Sequence, residues 1–222
     1  MSGTARRLVG LSLLFGLSYP WIRDHLPTPE IAIALKGAGV GLLALAATLR
    51  ARSADGWLLA SVLALGATGD VLLEISLAAG AAAFAAGHAV AILLYRRNRR
   101  AKADQKDRTL AAMILLAAAA MPAFLLQGRP ETVPFIAYAL LLGAMAASAW
   151  LSRFSRLVAL GALLFLASDM LIAVRMAGGE TGLGLPIWLL YYLGQLLIFL
   201  GVTSSLPAEP AGRGTTRRVV DG

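Results

Sequence analysis

The sequence contains no cysteine and only two histidines. The absence of cysteine excludes a disulfide framework, a thiolate nucleophile and a thiolate metal site. A hydrolytic zinc ion usually takes three His, Glu or Cys ligands together with a water. His25 falls in a predicted loop, which leaves His88 as the only histidine inside an apolar run. The sequence therefore predicts neither a metal ion nor another cofactor.

Charged residues are also scarce: they make up 14% of the 222 residues, whereas 59% are hydrophobic. This composition lies far outside the usual range of soluble domains, and the lipid bilayer is the natural solvent for such a chain. A helix needs roughly 20 apolar residues to cross a hydrocarbon core about 30 Å thick. The chain therefore has length for about eight spans and no room for a separate soluble domain.

Apolar runs follow one another along the chain, separated by short segments rich in Arg, Pro, Gly or Asp. They predict an all-α integral membrane protein with one transmembrane domain over residues 1–206 and a disordered cytoplasmic tail over residues 207–222. The first run resembles a signal peptide, but no small-residue cleavage motif follows it, so we interpret it as a retained span. The eight predicted transmembrane helices are 8–22, 31–49, 57–77, 79–95, 109–127, 133–151, 156–174 and 185–206.

The 20 Lys and Arg residues, which give a net charge of +8, lie between the apolar runs. A nucleic-acid-binding protein would carry them in a stripe with aromatic or polar readers, so we predict the bilayer as partner and no nucleic acid. Most fall in alternate connections, whereas the other connections carry only Arg23, Arg129 and Arg175. Because positive charge is retained on the cytoplasmic side, both termini are predicted to be cytoplasmic. The compact, loop-poor design suggests a bacterial inner membrane.

A weak internal repeat relates the two halves of the sequence. Residues 69–72 (GDVL) match residues 168–171 (SDML), and Gly87-His88 matches Gly194-Gln195. The matched spans run in the same direction, which predicts a parallel 4+4 repeat about an axis along the membrane normal. Each half would then bring one aspartate to a shared interface.

Four ionisable residues inside the predicted spans are the candidates for chemistry: Lys36, Asp70, Glu74 and Asp169. A charge at the centre of a span costs about 2.5 kcal/mol or more, so such residues usually face a bundle interior or a wet cavity. Asp70 and Asp169 lie at nearly the same depth, which predicts that their carboxyls face each other. Glu74 follows Asp70 by one helical turn, and the sequence leaves open whether it joins the acids or reaches the outer interface.

Two carboxyls that face each other in a low dielectric cannot easily both ionise, because desolvation and mutual repulsion oppose the second charge. One acid then holds a proton near neutral pH while the other acts as a base, as in glycosidases and aspartic proteases. Lys36, in a similar predicted layer, would help to keep the second acid ionised. For His88, in mid-span, a packing role and a functional role are equally open.

Four motifs occur in order along the chain: GDVLL at 69–73, FxxGH at 84–88, GALLFxxSDxLxA at 161–173 and YYxxQLLI at 191–198. Together they resemble the YhhN family of membrane proteins, whose characterised animal members are lysoplasmalogenases. The resemblance extends from about residue 36 to residue 202.

The resemblance implies an eight-helix enzyme that hydrolyses the vinyl ether of a lysoplasmalogen, a lysophospholipid, to a fatty aldehyde and glycerophospho-ethanolamine or -choline. It also implies that Asp70 and Asp169 are the essential acids. The reaction requires a proton donor, a nearby anion and a water, and we predict that the two aspartates supply the first two. The predicted substrate-binding residues are Lys36, Glu74, His88, Ser168, Tyr191, Tyr192 and Gln195.

Three other functions are consistent with the sequence. A proton-coupled transporter would also use paired acids, a buried lysine and an internal repeat. An intramembrane aspartyl protease would carry Gly-x-Gly-Asp, which residues 67–70 (ATGD) approach without the first glycine. A purely structural membrane protein would hold its two buried aspartates apart, each with unrelated partners.

Overall fold

The structure, a computed structural model, describes residues 3–178 and 181–206, so the predicted tail lies outside the described residues. The described residues form eight α-helices and two short 3₁₀ turns, with no β-strand. This agrees with the predicted all-α class. The helices are α1 Gly3–Ile22, α2 Pro29–Arg50, α3 Ala54–Leu73, α4 Leu77–Arg97, α5 Gln105–Leu125, α6 Thr132–Trp150, α7 Arg156–Met176 and α8 Gly184–Ser205.

Helix starts coincide with residues that satisfy the free N–H groups of the first turn. Ser53, Asp104 and Ser155 each accept a hydrogen bond from a backbone N–H in the helix that follows. Pro29, which has no N–H to satisfy, stands in the first turn of α2. Such caps fix the point at which a continuous apolar run becomes helical.

A cap also explains the clearest difference from the predicted boundaries. The third span was predicted to continue to residue 77, but α3 ends at Leu73 and α4 begins at Leu77. Ser76 accepts a hydrogen bond from the Ala79 N–H and so starts the new helix. The apolar pattern runs through this turn and does not reveal it.

Seven of the eight helices, α2 to α8, are long and apolar enough to cross a bilayer. Large apolar side chains face outward, including Leu116, Phe124 and Val133, which are 69%, 80% and 75% exposed. Outward-facing apolar groups of this size suit contact with lipid. The chain is therefore a multi-pass membrane protein. Because α1 is not among the seven, eight spans stay a prediction.

Helix α8 occupies the centre of the packing. Consecutive helices pack from α1 to α4 and from α5 to α8, and α4 also packs on α6. In addition to α7, α8 contacts α1, α2 and α3. Because α3 carries Asp70 and α7 carries Asp169, α8 lies against both helices that supply the predicted acids.

Polar contacts tie the connections together at each end of the bundle. Arg153 donates two hydrogen bonds to Asn98 Oδ1, of 2.9 and 2.7 Å, and Asn98 donates to Asp55 over 2.9 Å. At the other end, Arg129 donates to two carbonyl oxygens at the end of α7, over 2.7 and 3.0 Å. Connections that the charge pattern assigns to one side therefore lie together, while which side is cytoplasmic stays a prediction.

The predicted repeat relates α3 and α4 to α7 and α8, and each of these pairs is packed together. A Cβ placed on Gly87 would lie 3.6 Å from the Val62 carbonyl oxygen. At the corresponding place in the second half, a Cβ on Gly194 would lie 2.7 Å from the Gly161 carbonyl oxygen. The two pairs thus approach through matching positions, which supports the repeat, although the repeat stays a prediction.

Candidate active site

Asp70 lies on α3 where this helix meets α8. Its side chain is buried, and the Tyr191 hydroxyl donates a hydrogen bond of 2.7 Å to Oδ2. Tyr191 is itself buried and comes from α8. A buried carboxyl without a partner is costly. The hydrogen bond from Tyr191 offsets part of the free-energy cost of burying Asp70.

Asp169 lies on α7 and is also buried. The Tyr138 hydroxyl, from α6, donates a hydrogen bond of 2.8 Å to Asp169 Oδ2. The same hydroxyl oxygen lies 3.1 Å from His88 Nε2 on α4. Since its single hydrogen is used for Asp169, we assign the hydrogen of the second contact to the histidine Nε2. His88, Tyr138 and Asp169 therefore form one hydrogen-bonded chain.

Aromatic rings lie between the two carboxyl sites. The Phe165 ring contacts the His88 ring at 5.0 Å and the Tyr191 ring at 5.1 Å, both edge to face. Phe84 contacts Phe165 at 5.8 Å and Tyr191 at 5.6 Å. Among the described residues, no hydrogen bond joins the two carboxyls directly. Phe84 and Phe165 together form an aromatic cluster that joins the two sites. Within the part of the chain that the structure describes, the two carboxyls are not joined by a shared proton.

Gln195 follows Tyr191 by one turn of α8 and is buried. A Cβ on Gly66 would lie 2.7 Å from the Gln195 amide nitrogen and 3.5 Å from the Tyr191 hydroxyl, so glycine leaves room for both groups. The Gln195 carbonyl oxygen is buried without a hydrogen-bond partner among the described residues. A cavity of about 10 Å³, enough for one water, is lined by Gln195, His88 and the aromatic cluster.

Lys36 forms an ion pair with Glu74, and the two side chains are 13% and 33% exposed. Glu74 follows the end of α3, one turn beyond Asp70. The lysine therefore contacts one oxygen of this outer acid, Oε1, and makes no hydrogen bond to either buried aspartate among the described residues. No group of three or more His, Asp or Glu that suits a metal ion occurs in the described residues.

Two predicted substrate-binding residues hold helices together instead of contacting a carboxyl. The Tyr192 hydroxyl lies 2.9 Å from the Ser12 hydroxyl on α1. Ser168 donates a hydrogen bond of 2.9 Å to the Ile187 carbonyl oxygen on α8. The structure thus brings Asp70, Tyr191 and Gln195 together, and separately His88 with Asp169, but leaves Ser168 and Tyr192 in helix contacts.

Tyr138 is the residue that sequence reasoning missed. It lies within a long apolar run of α6 and belongs to none of the motifs that drew attention. The available signal was its hydroxyl group in mid-span, because such a group needs a partner away from water. That signal does not identify the partner, which comes from another helix.

Fold and site together define a polytopic helical membrane protein with two buried, tyrosine-bound carboxyls inside the bundle. Comparison with known families identifies the group: the YhhN family model matches residues 31–202. The chain belongs to the YhhN family. The match includes both aspartates and begins within the first turn of α2, so α1 lies outside it.

Two curated relatives carry a functional name. One from Mycobacterium bovis and one from Mycobacterium tuberculosis, both named lysoplasmalogenase, are each 32% identical over 181 residues. The alignment covers 76% of this chain and 69% of each relative. No solved structure matches the chain.

Proposed function

We propose that the protein is a lysoplasmalogenase-type hydrolase of a bacterial inner membrane. It cleaves the vinyl ether of a lysoplasmalogen and releases a fatty aldehyde with glycerophospho-ethanolamine or -choline. The observation that carries the proposal is the pair of buried carboxyls, Asp70 and Asp169, each held by a tyrosine hydroxyl beside one aromatic cluster. Family membership and the name of the mycobacterial relatives support the reaction class.

The two acids account for each proton of the reaction. One aspartate, protonated, gives its proton to the β-carbon of the vinyl ether, and the double-bond electrons form the new C–H bond. The other, ionised, stabilises the oxocarbenium ion and then accepts a proton from the water that attacks the α-carbon. In the hemiacetal, the hydroxyl proton returns to the first aspartate while the second protonates the leaving glycerol oxygen. One water is consumed and both acids recover their starting state.

The surrounding residues suit this chemistry. Tyr138 and Tyr191 fix one oxygen of each carboxyl, which limits the orientations that the acids adopt. Phe84 and Phe165 join the two sites through ring contacts, and an aromatic face turned to the substrate would attract positive charge such as that of the oxocarbenium ion. Because the internal cavity holds only about one water, side chains or helices must part before an alkenyl chain enters.

Aldehyde release from a defined lysoplasmalogen, by purified detergent-solubilised protein with EDTA present, tests the proposal. The saturated alkyl ether of the same lipid is the substrate control. We expect aldehyde from the vinyl ether alone, and a loss of about 100-fold or more for Asp70→Asn and for Asp169→Asn. Asp104→Asn, which keeps the cap of α5, is the matched control and should retain the wild-type rate. Folded wild-type protein that releases no aldehyde would overturn the proposal.

A further inference from the structure

A second cavity opens where α1 joins α2, and the proposed reaction makes no use of it. Its volume is about 360 Å³, within the range of small-molecule sites. Its walls are the end of α1, the connection to α2, the first two turns of α2 and Glu74 after α3. The lining includes Tyr19, Arg23, Asp24 and Thr28 beside Glu74.

The walls of this cavity carry charges of both signs. Arg23 pairs with Asp24 over 3.2 Å, and their side chains are 49% and 79% exposed. Glu74, on the inner side, is paired with Lys36, which does not itself line the cavity. A guanidinium is a strong donor to phosphate, whereas carboxylates accept from an ammonium group. The cavity therefore presents both halves of a site for a phosphate–ammonium zwitterion.

The cavity also lies at a suitable distance from the buried acids. Glu74 is four residues after Asp70 on the same chain segment, a rise of about 6 Å along a helix axis. In a lysoplasmalogen, the short glycerol backbone separates the vinyl ether from the phosphate by a comparable length. A lipid with its vinyl ether at Asp70 would thus place its headgroup beside Glu74.

The aromatic lining distinguishes between the two common zwitterionic headgroups. Recognition of a quaternary ammonium relies on open aromatic faces. Tyr19 is the aromatic residue that lines the cavity, and the Arg23 guanidinium already lies 5.7 Å from its ring centroid. A primary ammonium instead donates hydrogen bonds, which Asp24 and Glu74 accept. The lining favours ethanolamine over choline.

We infer that this cavity is the headgroup site for the lysophospholipid, with Arg23 binding the phosphate and Glu74 and Asp24 binding a primary ammonium. The identity of the lipid rests on the proposed function. The charge pattern of the cavity and its position one turn from Asp70 do not depend on whether the vinyl ether is cleaved.

Binding of uncleavable ligands tests the inference. We would measure dissociation constants of purified protein in a non-ionic detergent for three saturated ethers: 1-alkyl-lysophosphatidylethanolamine, its choline counterpart and 1-alkylglycerol. We expect the ethanolamine lipid to bind about tenfold more tightly than the alkylglycerol, with choline in between. Arg23→Gln and Glu74→Gln should each weaken ethanolamine lipid binding about tenfold and leave alkylglycerol binding unchanged.

Matched controls are Arg175→Gln and Glu131→Gln, which change the same charges at residues outside the cavity lining. They should not alter the binding of any of the three ligands. Equal affinity of the wild type for all three ligands would overturn the inference. The inference would also be overturned if the Arg23 and Glu74 variants weakened alkylglycerol binding as much as ethanolamine lipid binding. The same holds if the control variants weakened ethanolamine lipid binding as much as the Arg23 and Glu74 variants do.

The two proposals fail separately. Selective binding of the ethanolamine lipid by protein that releases no aldehyde would support the headgroup site and contradict the proposed function. Aldehyde release by protein that binds all three ligands equally would support the proposed function and contradict the headgroup site. Diacyl phosphatidylethanolamine, added as a competitor, distinguishes the substrate from the bulk bilayer: we expect it to compete poorly, and tight competition would assign the cavity to a structural lipid.

Discussion

In both the Asp70 site and the Asp169 site a tyrosine hydroxyl donates a hydrogen bond to the carboxyl. The two sites differ in the residue that lies next to this tyrosine. At Asp169, the Tyr138 hydroxyl also accepts a hydrogen bond from His88, so the site continues into a titratable ring. At Asp70, the donor is Tyr191, and the residue one turn further along α8 carries an amide rather than an imidazole. The predicted repeat places this amide, Gln195, at the position of His88.

The two sites also differ in the charged groups that lie near each carboxyl. Asp70 lies one turn from the Lys36–Glu74 ion pair and from the charged cavity at the end of the bundle. The Asp169 site is built from α4, α6 and α7, through the hydrogen-bonded chain of His88, Tyr138 and Asp169. Two carboxyls at equivalent sequence positions thus share the aromatic cluster but differ in the ion pair that lies one turn beyond Asp70, and this difference suits different roles in one reaction.

Among the residues around the two carboxyls, the two tyrosines should have the largest effect on activity when they are replaced. Tyr138→Phe and Tyr191→Phe each leave a buried carboxyl without its donor, and we expect aldehyde release to fall about 10- to 100-fold in both. Both substitutions should also lower stability by about 1 kcal/mol or more, because each removes a buried hydroxyl that is hydrogen-bonded to a carboxyl. Rates and denaturation midpoints in the same detergent measure both effects. Folded Tyr138→Phe protein with the wild-type rate would contradict the account.

The glycines of the two halves should respond differently to a methyl group. Gly194→Ala puts a Cβ 2.7 Å from a backbone oxygen on α7, so α7 and α8 must separate, at a cost of about 1–3 kcal/mol. Gly87→Ala meets its nearest neighbour, Leu65 Cβ, at 3.4 Å and should cost less than about 1 kcal/mol. Thermal unfolding followed by circular dichroism compares them, and equal shifts would show that the halves pack alike.

A change at His88 sharpens the comparison between the two sites. His88→Leu removes the hydrogen bond to Tyr138, and we expect a loss of about 1 kcal/mol of stability with a moderate fall in rate. His88→Gln keeps an N–H donor and makes the position resemble Gln195, so it should recover most of the activity. If glutamine is no better than leucine, the role of the histidine is more than that of a donor to Tyr138.

Tyr192 provides the smallest expected effect on catalysis. Its hydroxyl contacts Ser12 on α1, away from both carboxyls. Tyr192→Phe should lower stability by about 1 kcal/mol while leaving the rate of aldehyde release unchanged. Tyr191→Phe, measured in parallel, allows the two adjacent tyrosines to be compared. A comparable loss of activity in both variants would contradict the structure, in which only Tyr191 contacts a carboxyl.

Adjacent residues of this kind show where sequence reasoning stops. Tyr191 and Tyr192 share one motif, but successive residues on a helix point about 100° apart, so only one reaches Asp70. The sequence does not determine how α8 is rotated against α3. Lys36 and Glu74 are similar: each was a candidate for the acid site, and it is their packing across α2 and α3 that makes them an ion pair.

The features that the sequence did predict depend on local chemistry. Continuous apolar runs and intervening charges predicted the eight helices but not all of their ends: α1 and α5 begin before their predicted starts, and α4 begins where Ser76 caps it within such a run. Burial of Asp70 and Asp169 followed from their position inside predicted spans. Tyr138 was missed because a tyrosine in an apolar helix has many structural uses, and its partner lies 31 residues away in sequence.

The most direct test of the account is whether both carboxyls act in one reaction although no hydrogen bond joins them. We would compare aldehyde release by Asp70→Asn, by Asp169→Asn and by the double variant. Residues that act as a unit are strongly non-additive, so the double variant should be no slower than the slower single variant. A single variant that retains the wild-type rate would contradict the account, as would a double loss equal to the product of the two single losses.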